Sequence, residues 1–279
     1  MTKKIINNFN KKGFFIYKNF FDKKLLKEMQ ESIFNVSLKF IDIESKDKIK
    51  NIHDIKFHKA LHKLRKKNPK DFGALFDSIN NSVVVSKIVS QKNLLNLVSK
   101  LTNLPISLIS YNGSKIRMDC FRDKRNILAW HQDRSYYYQN EDGNKGLVCW
   151  IPLTDVAKTR GALVLCENSH KGGFIMSKYI NKNNLSPQFL VSESVVKKYK
   201  KKTCALKERD LLIFKKTTIH RSGINTSNLF RFSLQIRFHD LSDKNYLSFK
   251  RLYVYDEYLI KKMKSVRKDL AYLSSNYPR

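Results

Sequence analysis

His131 and Asp133 stand two positions apart in the run Trp130-His131-Gln132-Asp133-Arg134-Ser135-Tyr136, just before the midpoint of the 279-residue chain. No other feature constrains the fold as much. In an extended strand, residues i and i+2 point to the same face, so this imidazole and this carboxylate can converge on one point. The pair reads as two metal ligands carried by a strand.

Two ligands do not make a site, and the third is expected downstream. Residues 210–225 read as a buried strand, a turn, and His220 followed by the loop signal Ser222-Gly223. Two His and one carboxylate on one face of a metal, with the opposite face open, form the facial triad of non-haem Fe(II) oxygenases. Eleven residues beyond His220 comes Arg231, inside the strand-like stretch 229–238. A guanidinium beside such a centre is suited to holding a carboxylate through a bidentate fork.

These residues carry a resemblance to the phytanoyl-CoA dioxygenase family of Fe(II)- and 2-oxoglutarate-dependent oxygenases. Trp130-His131-Gln132-Asp133 is similar to that family's HxD segment, and residues 153–165 resemble its following strand pair. Ser169-His170-Lys171-Gly172 resembles the next loop, and His220 with Arg231 matches the family's distal His and oxoglutarate Arg in spacing. The likeness runs from about Asn8 to about Leu247.

The resemblance implies a mainly β (α+β) fold: a double-stranded β-helix, or cupin-like jelly roll, with flanking helices, the whole of residues 1–279 forming one domain. It implies that His131, Asp133 and His220 hold Fe(II), leaving positions for water, 2-oxoglutarate and O2. Arg231, helped by Ser222, would bind the distal carboxylate of 2-oxoglutarate, and Trp150 falls near that co-substrate. The reaction implied is hydroxylation of a small-molecule substrate with release of succinate and CO2. A carboxylate at Asp133 favours hydroxylation over halogenation, because related halogenases lack one there. The chain departs from the family at Glu167-Asn168, where a Pro-Gly pair usually precedes Ser-His-Lys. His170 reads as loop structure, not as a ligand.

Two other readings compete. The net charge of +31 and pI near 10.0 suit nucleic acid, an acidic surface or an anionic substrate, and Arg231 with Arg237 forms the R-x5-R pattern of alkylated-base demethylases. Those enzymes place the first Arg farther beyond the distal His, and the basic residues here are spread along the chain, not gathered in one arm. Nucleic acid is therefore not the expected partner, and the charge leans toward an anionic small molecule. A metal-binding but non-catalytic jelly roll is the second alternative; it would bind metal without turning over 2-oxoglutarate.

The rest of the chain frames the site. Residues 8–40 read as a short strand and a helix capped by Asp22, with Leu25, Leu26, Met29 and Ile33 at helical spacing. Residues 41–104 are helical and polar, and the resemblance makes them the substrate entrance and a candidate lid. His58 and His62 share a helix face there, but no further ligand follows. Residues 108–121 alternate as a strand bent at Gly113, with Lys115 and Arg117 facing either the barrel interior or solvent. Tyr136, Tyr137 and Tyr138 are candidates for the pocket wall. Residues 174–204 read as a polar insertion near the site mouth, and residues 255–272 as a basic helical tail. No stretch of 18 apolar residues and no leader-like start is present, and Cys120, Cys149, Cys166 and Cys204 lack CxxC spacing. A cytoplasmic protein with reduced thiols is expected; oligomeric state is left open.

Overall fold

The large sheet is built from strands whose two faces do different work. The computed structural model describes residues 3–42, 49–123, 126–136, 146–180 and 188–243; Tyr137, Tyr138 and the expected tail helix lie outside the described residues. An antiparallel five-stranded sheet runs in the order β1 (Phe14–Tyr17), β8 (Leu211–Lys215), β3 (Leu147–Pro152), β10 (Arg231–Asp240), β2 (Ile109–Asp119). Along β10, Phe232, Leu234, Ile236 and Phe238 join Ile116 and Met118 of β2 and Leu147, Cys149 and Ile151 of β3 in one apolar cluster. The alternate residues, Arg231, Ser233, Gln235, Arg237 and His239, belong to the opposite face by the period-two rule.

A smaller sheet of β7 (Lys201–Cys204), β4 (Leu163–Cys166) and β9 (His220–Arg221) faces that inner surface. Leu163, Leu165 and Cys204 from it pack with Val148, Trp150, Leu212 and Phe214 of the large sheet. Two facing antiparallel sheets with a shared interior make the double-stranded β-helix. A two-strand pair, β5 (Lys178–Ile180) with β6 (Gln188–Leu190), stands apart from both.

Helices cover the outer face of the large sheet. In α2 (Lys23–Ser37), which follows α1 (Lys3–Lys12), Asp22 caps the N-terminus by accepting from the amides of Lys24 and Leu25, and Leu25, Leu26, Met29 and Ile33 are buried, the stripe expected from their spacing. The helix α1 was not anticipated. Then come α3 (Ile55–Lys67), capped by Asp54, and α4 (Pro69–Asn80), with Asn68 as cap and Pro at its start. They are followed by α5 (Val83–Val89) and α6 (Lys92–Thr102). The buried side chains of α3 to α6 enter the outer-face cluster, so the described helices of the region read as a lid lie on the back of the sheet. Burial of an aromatic such as Phe232 between sheet and helices makes its truncation to Ala cost about 3–5 kcal/mol.

Four local features refine the expectations. The register of β2 against β10 shifts between Gln235 and Arg237, which pair with Lys115 and Asn112, so a bulge stands where a bend at Gly113 was expected. Asn80 of α4 closes the open edge of β2 by bonding both the N–H and the C=O of Ile116. Asn168 takes φ of 65°, the left-handed conformation that Gly adopts freely and Asn tolerates; the unusual Glu167-Asn168 pair thus keeps a Gly-like turn. The segment read as a polar insertion also gives up its last part to the core, since residues 201–204 are β7.

Candidate metal centre

His131 and His220 face each other as an antiparallel bridge pair, each amide donating to the other's carbonyl at 2.9 Å. His220 is anchored by β9 against Leu165 of β4. His131 is anchored by the segment around β6: Val191 N donates to Trp130 O at 2.8 Å, and Ala129 N to Gln188 Oε1 at 2.9 Å. Gln132 is extended, and Asp133 opens a single 3-10 turn, Asp133–Ser135. His131 and Asp133 thus converge, but not on one extended strand as expected: Asp133 is turned to the centre by the 3-10 turn.

One ligand atom from each of His131, Asp133 and His220 lies within 4.8 Å of the others, and all three residues are buried. Asp133 Oδ1 stands 3.4 Å from the Nε2 of each histidine. The Nδ1 atoms are tied elsewhere, His131 to Ala129 O at 2.7 Å and His220 to Thr218 O at 3.0 Å. A carbonyl only accepts, so each Nδ1 carries the hydrogen and each Nε2 turns a lone pair to the centre. Burial and then the neighbouring His220 push His131 down, which favours the neutral, ligating form. Burial alone would raise the Asp133 carboxyl, but the Arg237 charge holds it well below the usual carboxylate range. Two imidazole nitrogens and one carboxylate oxygen suit a divalent iron.

Arg231 lies deeper along the inner face of β10. Its Nε and Nη2 donate to Asp119 Oδ2 at 3.1 and 2.6 Å, and Nη1 donates to Gly161 O. The remaining N–H groups of Nη1 and Nη2 form the terminal fork. Gly161 brings the Ser222-Gly223 turn to this guanidinium: an added methyl there would stand 3.2 Å from Arg231 Nη1 and 3.0 Å from Gly223 O. Trp150, opposite Gln235 in register, and Ser233 are fully buried, and neither Trp150 Nε1 nor Ser233 Oγ has a hydrogen-bond partner. Orphaned buried donors on the face that carries Arg231 fit a polar ligand.

Other candidates fall outside the centre. Arg117 pairs with Asp119 at 2.7 Å, so that carboxylate serves two arginines; burial would raise it, but Arg117 and Arg231 bring it to about 2. Lys115 Nζ lies over the Phe76 ring of α4. His58 Nδ1 accepts from Phe230 N at 2.9 Å, and His62 Nε2 contacts Asn228 O; both serve the approach to β10 and not a metal. His170 Nε2 contacts Asn10 O at 2.9 Å, pinning α1 to the loop. Tyr136 sets its ring edge-on to His131 at 5.5 Å and accepts from Phe189 N. Four residues of the site were missed. Asp119 and Gln188 act across long sequence distances, Lys216 hid in a chain rich in lysine, and the alternation that exposed Arg231 and Arg237 also reaches His239.

With this geometry in place, comparison with known proteins is specific. The family model described as phytanoyl-CoA dioxygenase (PhyH) matches residues 9–233. The chain belongs to this family, and with it to the iron- and 2-oxoglutarate-dependent oxygenases. A search of curated proteins by sequence found no match. Among solved structures, the non-haem α-ketoglutarate-dependent epimerase SnoN from nogalamycin biosynthesis is similar, with TM-score 0.58, 13% identity, and coverage of 85% of this chain and 82% of that one. EctD from S. alaskensis, solved with 2-oxoglutarate and 5-hydroxyectoine, has TM-score 0.58, 12% identity and coverage of 87% and 77%. EvdO2 from Micromonospora carbonacea var. aurantiaca, complexed with 2-oxoglutarate, has TM-score 0.57, 13% identity and coverage of 89% and 97%. At such identities the likeness establishes the fold.

Proposed function

We propose that the protein hydroxylates a small, anionic molecule, using Fe(II) held by His131, Asp133 and His220 and 2-oxoglutarate held by Arg231. The observation that carries this reading is the buried convergence of two Nε2 lone pairs and one carboxylate oxygen, each histidine fixed by a carbonyl at its other nitrogen. When bound, iron and 2-oxoglutarate would supply the oxidising chemistry, with succinate and CO2 as by-products.

The chain's own part is to bind and orient. Arg231 is held rigid by Asp119 and Gly161, so its terminal fork is preorganised for the distal carboxylate, with Ser222 on the adjoining turn. Trp150 Nε1 and Ser233 Oγ offer further hydrogen bonds on the same face. Arg237 holds Asp133 Oδ2 and leaves Oδ1 for the metal. The net charge of +31 draws anions toward the site.

The test is anaerobic titration with Fe(II) and 2-oxoglutarate, following the visible band of a chelated keto acid. The band is expected in the parent and is expected to weaken in Asp133→Ala and Arg231→Ala. Metal-loaded parent protein without the band would overturn the assignment.

A further inference from the structure

Lys216 is 0% exposed, and among the described residues its ammonium is hydrogen-bonded to His239 Nδ1 at 3.2 Å. Among the described residues no carboxylate lies within ion-pair distance of it; the acids whose charge reaches it are Asp133 and Asp243, and Asp133 is committed to Arg237 and the triad. An ammonium buried without a paired anion among the described residues is costly, and an apolar residue of similar length would fill the same space more cheaply. The fold nonetheless reserves room for it. A methyl group on Gly146 would stand 1.7 Å from Lys216 Cε, so the lysine crosses the start of β3 only because that position has no side chain.

The lysine ends at His239, on the same strand as the arginine that holds Asp133. His239 lies two residues beyond Arg237 on the inner face of β10, a step of about 7 Å, and Arg237 bonds the ligand Asp133. Arg134, also buried, adds positive charge toward Lys216. Burial, then Lys216 and Arg237, push His239 down to about 3, so its ring is neutral. The lysine nitrogen donates to Nδ1, which puts the ring hydrogen on Nε2. Lysine and imidazole thus present donors and no acceptor.

We propose that Lys216 and His239 form the seat for an oxyanion of the substrate, a carboxylate or a phosphate, two residues along β10 from the arginine that holds Asp133. This rests on the reading of the triad as an oxygenase centre and supplies the place where an anionic substrate is recognised. Burial pushes the Lys216 ammonium down to about 7; a bound anion would hold it fully charged.

The test uses the full chain with Fe(II) and saturating 2-oxoglutarate, kept anaerobic so that the co-substrate position is filled. Sodium phosphate, sodium acetate and neutral acetamide are titrated at constant ionic strength, and binding is read from the shift in Tm. Phosphate or acetate is expected to raise the parent Tm while acetamide does not, and the larger response identifies which oxyanion the seat takes. Lys216→Met is expected to weaken that binding by about tenfold or more, Lys216→Arg to restore part of it, and Gly146→Ala, which displaces the ammonium without removing it, to weaken it too. An equal response in the parent and Lys216→Met, an equal response to acetamide, or no response in the parent overturns the seat. The keto-acid band, recorded on the same samples, separates the two ideas: a band without an anion response sinks the seat alone, and absence of the band sinks the oxygenase reading.

Discussion

Arg237 Nε donates to Asp133 Oδ2 at 2.8 Å, and this leaves Asp133 Oδ1 facing the Nε2 atoms of His131 and His220 at 3.4 Å each. One oxygen of the carboxylate is held by the barrel wall and the other is turned to the metal position. A second partner, Gln235 Oε1 at 2.7 Å from Nη2, fixes the guanidinium in turn. Partners of this kind set ligand orientation and metal affinity. Arg237→Gln is expected to weaken Fe(II) binding about 10- to 100-fold, with Arg237→Lys intermediate because it keeps charge but loses the fork. Anaerobic metal titration checks this, and parent-like affinity in Arg237→Gln would show that Asp133 needs no such support.

Asp119 joins Arg117 and Arg231, residues far apart in sequence, inside the barrel. Its carboxyl, brought to about 2, is lower folded than the ordinary value of 3.8, so the unfolded chain binds the proton more readily. The stability it contributes is present above about pH 4 and is lost as the pH falls toward 2. Asp119→Asn leaves two buried arginines facing a neutral amide and is expected to cost about 3 kcal/mol near pH 7. Urea unfolding at several pH values checks both parts: the variant should be weaker at pH 7 and should lose the parent's steep decline between pH 4 and 2.

His58 carries a second acid sensitivity, located on the helical side. Burial, then the charge of Arg160, push it down to about 3 from 6.5, and as a neutral ring it accepts from Phe230 N, the amide just before Arg231. Its contribution is complete above about pH 6.5 and is lost as the pH falls toward 3. His58→Ala removes the acceptor of a buried amide and is expected to cost about 1–3 kcal/mol at pH 7. Far-ultraviolet melts at pH 7 and pH 5 provide the check: the gap between parent and variant should narrow at pH 5.

How far the chain could be read from sequence follows from which interactions are local. The triad was legible because His131 and Asp133 sit at strand spacing and His220 ends an apolar strand. Arg231 was legible from its place in an alternating run. The pairing of Arg231 with Asp119 was not, since the two are separated by 112 positions and meet only through the register of β10 with β2. Lys216 sits beside Lys215 in a chain with 55 Lys and Arg, where a buried lysine looks like any surface one. The β7 strand was hidden because its lysines at 201 and 202 are exposed, leaving no apolar run to mark it. Residues 41–104 read as helical and polar, but which surface those helices cover is decided by the sheet.

Gly161 offers a way to separate the two halves of the centre. Its φ is +78°, its carbonyl accepts from Arg231 Nη1, and an added methyl would stand 3.0 Å from Gly223 O and 3.2 Å from Arg231 Nη1. Ala is strained in this backbone region, and neither neighbour yields easily, since one is backbone and the other a buried guanidinium. Gly161→Ala is therefore expected to cost about 1–2 kcal/mol of stability and to shift the Arg231 fork. The proposed metal ligands lie on other segments, so Fe(II) affinity should stay near that of the parent while about tenfold more 2-oxoglutarate is needed to develop the keto-acid band. Metal and co-substrate titrations on the same preparation give both quantities. Parallel loss of both affinities would mean that the Arg231 pocket and the triad are one mechanical unit, and unchanged affinity for both would remove Arg231 from the co-substrate site.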